Sequence, residues 1–148
     1  MTQHASAASA LTRLARTGLV AGLIALAGCA TAYHPETLTG GYTEIPLPEN
    51  TYQVRFKGNN YTPRDKVEQF LLYRCAELTE QLGYDHFLLV ASDTLDISDP
   101  LAKAGLFPRN YYATARIKVF RRPDHPAAYN AKEVRRRVEE QYPDDFGS

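Results

Sequence analysis

The sequence lacks most of what announces an activity. Its 17 Lys and Arg are matched by 17 Asp and Glu over 148 residues, so there is no excess of either sign. A nucleic-acid binder carries a strong basic excess, and that class is excluded. No Ser or Cys nucleophile stands where Tyr84-Asp85-His86 could complete a triad. Asp93, Asp96 and Asp99 recur every third residue, whereas a calcium loop sets its acids at alternate positions around a central glycine. No metal-ligand or cofactor motif emerges, so neither metal nor cofactor is expected. The N-terminal apolar run, from Gly18 to Ala25, is too short to cross a bilayer, which takes about 20 apolar residues. Cysteine is scarce as well: only Cys29 and Cys75 are present.

What is present begins at the N-terminus. Arg13 and Arg16 precede the apolar run, which ends in Leu26-Ala27-Gly28-Cys29. A basic start, an apolar middle and small residues at a cut site make a secretory signal. Leu-Ala-Gly-Cys is the bacterial lipobox, in which the Cys thiol takes a diacylglycerol and the chain is cut before it. Residues 1–28 are therefore expected to be a signal peptide, and Cys29 the site of lipidation with palmitate-type chains. Two or three acyl chains, at about 0.8 kcal/mol per buried methylene, anchor a protein stably to a membrane. Ala30 follows the Cys where an Asp would favour inner-membrane retention in many Gram-negative bacteria. The expected location is the outer membrane, facing the periplasm, rather than the inner membrane. Removing 1–28 takes two arginines and no acid, leaving 15 basic and 17 acidic residues and a formal charge of −2. Cys75 then has no partner in the chain, and its place on an apolar helical stripe marks it as a small core residue.

The rest reads as one domain. Residues 29–41 are small, polar and without period, a lipidated tether in which His34 is a solvated linker residue. Residues 42–142 form the domain, and 143–148 a C-terminal tail. Tyr42–Leu47 and Thr51–Lys57 predict a hairpin, with Pro46 confining the first strand to an edge. In the second, Tyr52, Val54 and Phe56 alternate with Gln53, Arg55 and Lys57, so one face meets a core. Thr62 as cap, Pro63 and Asp65 predict a helix start. Val67, Phe70, Leu71, Cys75, Leu78 and Leu82 follow at helical spacing until Gly83 ends the run. Arg74 and Glu77, three apart, read as a surface pair or a helix-edge contact. Phe87-Leu88-Leu89-Val90-Ala91 predicts a central strand covered on both faces, closing a β-α-β unit. Residues 93–110 read as a connector whose Leu101–Phe107 portion either packs back or forms a partner-facing tip. Tyr111–Arg121 alternates again, and Asn130 with Glu133 starts a second helix carrying Val134, Val138 and Tyr142. The expected class is α+β: three or four strands in the order hairpin, central strand, last strand, one long helix packed on them, and a short C-terminal helix.

The two alternating strands place Arg55, Lys57, Arg116 and Lys118 on the sheet's outer face. These four are the candidate binding face, against anionic head groups or another anionic envelope component. The expected role is a non-enzymatic binding or sensing module of the cell envelope, partnered by the membrane through its lipid and by an envelope protein or peptidoglycan. The alternatives are a structural lipoprotein holding peptidoglycan through the same face, and an enzyme or accessory subunit whose residues converge only in three dimensions.

Several stretches share a signature: Gly40-Gly41-Tyr42-Thr43-Glu44, Tyr52 to Phe56, Gly58-Asn59, and Tyr61-Thr62. Leu71 to Thr79 with Arg74-Cys75-Ala76-Glu77-Leu78, Gly83-Tyr84-Asp85-His86-Phe87, and Tyr129 to Val134 continue it. On these residues, which span most of the mature part, the chain resembles a family of uncharacterised Gram-negative bacterial lipoproteins. The resemblance implies a lipid-anchored envelope protein and carries no activity with it.

Overall fold

The computed structural model describes residues 32–98, 100–123 and 125–146. The signal segment 1–28 and Cys29 lie outside the described residues. The described elements are β1 (Gly41–Leu47), β2 (Thr51–Lys57), α1 (Arg64–Gln81), β3 (His86–Asp96), α2 (Pro100–Lys103), β4 (Tyr111–Phe120), β5 (Tyr129–Asn130), α3 (Ala131–Gln141) and α4 (Pro143–Phe146). This is an α+β fold with one sheet, a long helix on it and short C-terminal helices. The sheet has five strands among the described residues, one more than the expected upper number. The addition is β5, two residues paired with the start of β3.

Strand order corrects the expected one. It is β1-β2-β4-β3-β5, with every neighbouring pair antiparallel. β4 therefore inserts between β2 and β3. Because β4 opposes both, β2 and β3 run the same way and are joined through α1. The expected β-α-β unit exists, but split by one strand. The ten residues of β4 offer backbone to both neighbours. Thr51 faces Lys118 and Lys57 faces Tyr112 on one side, while His86 faces Phe120 and Asp96 faces Tyr111 on the other.

One face of the sheet carries the core. Val54 and Phe56 of β2, Ala113, Ala115, Ile117 and Val119 of β4, and Phe87 of β3 are buried against Val67, Phe70, Cys75 and Leu78 of α1. Val134 and Val138 bring α3 into the same cluster, with Tyr142 packed against it, as their spacing predicts. Each large apolar side chain removed from water contributes about 1.5–3 kcal/mol, so this face drives folding. Cys75 is a free thiol, fully buried here, and burial pushes it well above the ordinary thiol range.

β3 departs from expectation twice. It is not covered on both faces: Phe87 is buried, Leu88 and Leu89 are half-buried, and Val90 is exposed at a register shift between Leu89 and Ala91. It also runs on through Asp93-Thr94-Leu95-Asp96, which reads as the start of a polar connector. Backbone pairing to β4 holds this half and does not depend on apolar side chains.

Helix termini combine one correction with two agreements. Thr62 does not cap α1; Pro63 occupies that position without a side-chain cap. The Thr62 hydroxyl instead donates to Asn59 Oδ1 at 3.0 Å and locks the preceding turn. Gly83, at φ +77°, closes α1: its N–H donates to Glu80 O and that of Tyr84 to Thr79 O. This is a Schellman closure, which needs a residue free to take positive φ. Asn130 caps α3 by accepting from the Glu133 N–H at 3.2 Å.

Both ends of the domain extend beyond the expected limits of 42 and 142. Residues 33–41 are not a free tether. The His34 carbonyl accepts from the Tyr42 N–H at 2.9 Å, and Tyr33 packs among Tyr42, Phe70, Tyr73 and Phe146. Nor is 143–146 a tail. Phe146 stacks on Tyr73 at 4.2 Å, and Asp145 pairs with Lys66 at 2.7 Å. Apolar rings 33 and 146 find a shared site only because β1 and α3 converge on α1.

Candidate functional site

The sheet face opposite the helices is the candidate site. Register places Thr43, Ile45 and Leu47 of β1 and Thr51, Gln53, Arg55 and Lys57 of β2 on it. Tyr112, Thr114, Arg116 and Lys118 of β4 and Leu88, Ala91, Asp93 and Leu95 of β3 lie on it too. The four cations chosen from sequence do share this face. Arg55 lies opposite Thr114, so Arg116 is its diagonal neighbour, about 7–8 Å away by sheet geometry. Lys57 is one row to one side, opposite Tyr112, and Lys118 one row to the other, opposite Thr51. The cations thus form a band crossing four rows, about 20 Å along the strands at 3.4 Å per residue.

Their pairing is thin. Lys118 lies 3.8 Å from Glu49 on the β1–β2 turn, with both side chains largely in solvent. Asp93 shares the Arg55 row, across Thr114. Gln53 donates to the Thr114 hydroxyl at 3.4 Å, and that hydroxyl donates to Val54 O. Arg55 Nε is buried without a hydrogen-bond partner among the described residues. A shallow depression of about 160 Å³, lined by Gln53, Asp93, Thr114 and Arg116, lies at the centre beside the β3 bulge. Ile45, Leu47 and Leu88 give the band apolar margins.

A second cluster was legible only as fragments. Arg74 is buried rather than at the surface, which corrects its reading as a surface pair. It donates through Nη2 and Nε to Glu44 at 2.8 and 3.3 Å, pairs with Glu77, and lies 4.2 Å over the Tyr42 ring. Tyr33 donates its hydroxyl to Glu77. Burial pulls the Arg74 guanidinium toward its neutral form, but the hydrogen bonds it donates to Glu44 and Glu77 more than reverse this and raise it. Burial, then Glu77 as acceptor and as charge, pushes the Tyr33 phenol up. The cluster ties the segment before β1 to α1 and is structural in character. Its one sequence-visible sign was Arg74 inside an apolar stripe, with its partner Glu44 thirty residues away.

The remaining candidates do not converge. Among the described residues no group of three His, Cys, Asp or Glu side chains could hold a metal ion. Asp93 lies on the open face. Asp96 caps Ser98 N–H at 3.0 Å and meets Arg109 at 3.4 Å, so it and Asp93 lie on opposite faces of β3, while Asp99 lies outside the described residues. The Ser98 hydrogen bonds, with a smaller contribution from Arg109, hold the Asp96 carboxyl below its ordinary value. His86 begins β3 beside β5. A groove of about 530 Å³ lies elsewhere, among Tyr61, Ile97, Ser98, Phe107 and Asn110. His34 Nδ1 meets Pro35 O at 2.6 Å within the docked segment. Arg135 pairs with Glu80 of α1 and with Glu139, and Arg136 pairs with Glu140. Among the described residues no helix is long and apolar enough to cross a membrane.

Comparison with family models, with curated proteins and with solved structures returned no match to this chain.

Proposed function

We propose that the protein is a lipid-anchored, non-enzymatic module of the bacterial envelope, whose bare sheet face binds an anionic envelope partner. The band of Arg55, Lys57, Arg116 and Lys118 carries this reading: four cations in successive rows of one face, uncovered and met by few acids among the described residues. Like charges on adjacent rows repel in the free protein. An extended polyanion laid along the strands relieves that repulsion. The Cys29 lipid brings the face to the membrane where such partners are fixed. The expected location is the periplasmic side of the outer membrane.

Photo-crosslinking in cells tests the reading, with probes at Arg116 and Lys118 in the lipidated protein. A discrete adduct that fades with added salt is expected. Absence of any adduct from this face, together with a hydrolytic activity lost on a single substitution, overturns it. The length of the band also favours a structural role on peptidoglycan. Co-sedimentation with sacculi that is salt-sensitive, and lost when Arg55→Glu and Arg116→Glu are combined, selects that partner.

A further inference from the structure

The large apolar side chains left in solvent are not spread evenly. Of the ten exposed among the described residues, six (Leu38, Tyr61, Ile97, Leu101, Leu106 and Phe107) lie at one end of the sheet. That end is where β1 begins, β2 and β3 finish, and β4 begins. The opposite end, made of the turns after β1, α1 and β4, exposes Leu82 alone from the same group. Leu106 is 68% exposed, Tyr61 63% and Phe107 56%, values unusual for side chains with no partner to meet.

These side chains are held out by built structure. The Asn110 N–H donates to Ser98 Oγ at 2.6 Å and the Ile97 N–H to Asn110 O at 2.9 Å, which clamps the base of the 97–110 excursion. Ala102 is buried beneath it. The helical turn of α2 closes through Gly105, at φ +85°, with the Leu106 N–H donating to Leu101 O, and Leu106-Phe107 then project. Cations rim the tip: Lys103 and Arg109 bracket it in sequence, and Lys57 borders the adjoining groove of about 310 Å³ with Leu38 and Tyr61.

We infer that this end docks on the lipid bilayer, with Leu106, Phe107 and Tyr61 entering the headgroup boundary and the strands standing away from the membrane. An apolar tip with a cationic rim suits an anionic interface. The length of chain outside the described residues argues for lipid over a protein occupant. Tyr33 is fixed on α1 beside the start of β1, so Cys29, four residues earlier, reaches at most about 14 Å from it. A lipid on Cys29 therefore holds this end of the domain at the bilayer. In that pose the cationic band faces sideways, open to a partner. The inference rests on the lipid-anchor reading above.

The test uses the mature lipoprotein in phosphatidylethanolamine–phosphatidylglycerol vesicles carrying spin-labelled lipid, with an environment-sensitive fluorophore on Leu106→Cys or, at the far end, Arg121→Cys. Buried Cys75 stays unlabelled. Strong lipid quenching at 106 with little at 121 is expected. Equal quenching at both overturns the docked pose, and quenching at 106 that appears only as protein density rises assigns the tip to a second copy and overturns it too. Acylation of Cys29, read by mass, separately decides the anchor. The Cys29→Ser chain keeps a weak vesicle affinity of its own under this inference, falling roughly tenfold for each of Leu106→Ser and Phe107→Ser. An affinity unmoved by both overturns docking even where Cys29 is acylated.

Discussion

Replacing Tyr33 by alanine asks whether the segment before β1 belongs to the domain. The ring lies 4.7 Å from Tyr73, 4.9 Å from Tyr42, 5.2 Å from Phe146 and 5.9 Å from Phe70, centroid to centroid. Truncating a fully buried aromatic residue costs about 3–5 kcal/mol, and Tyr33 is half-buried, so Tyr33→Ala should cost about 2–3 kcal/mol. The hydroxyl contributes a separable part. Tyr33→Phe keeps the ring, removes the bond to Glu77 and should cost about 1 kcal/mol. Urea unfolding of the Cys29→Ser chain measures both, and the midpoint should fall for each variant with an unchanged slope. Against a total stability of about 5–15 kcal/mol, the alanine effect is large. If Tyr33→Ala lies within about 0.5 kcal/mol of wild type, as an exposed linker residue would, the docking of 33–41 is refuted. The short reach from Cys29 to the domain falls with it.

Gly41 sits at φ +121°, and a Cβ there would meet the carbonyl oxygens of His34 and Pro35 at 2.6 Å. Gly41→Ala should therefore destabilise the chain by about 2 kcal/mol or more, against about 1 for Gly83→Ala, where nothing lies within 4 Å; equal losses would refute the close approach. The Tyr33 phenol is pushed up, and burial with the bond to Glu139 pushes Tyr73 to about 12. Both folded values exceed the unfolded value near 10, so their contribution is complete below pH 10 and is lost as pH rises toward 12. Denaturation at pH 8 and 11 should show that loss, smaller in Tyr33→Phe and Tyr73→Phe, and a flat profile would contradict it. Cys75, fully buried with its pKa raised, should resist thiol reagents in the native chain and react promptly in denaturant; fast native labelling would place it outside the core.

The candidate face was readable because alternation is local. Val54 and Phe56 against Arg55 and Lys57, and Ile117 and Val119 against Arg116 and Lys118, assign each side chain to a face whatever strand lies next door. The α1 stripe, the Gly83 stop and the Asn130 cap were readable for the same reason, since their partners lie within five residues. Residues 101–107 were visibly too apolar for a plain connector. Their grouping with Leu38 and Tyr61 was not visible, because these come from three different connections.

The sequence by itself determined the class of the fold, the faces of β2 and β4, the long helix and its end, and the burial of Cys75. All follow from periodicity and from residues that favour particular backbone angles. Only the tertiary structure decided that β4 enters between β2 and β3, that Arg74 is an interior ion matched by Glu44, and that Tyr33 and Phe146 close over α1. Those outcomes depend on which distant surfaces meet, and each is set by a sum of packing and charge terms that no short window of the chain contains.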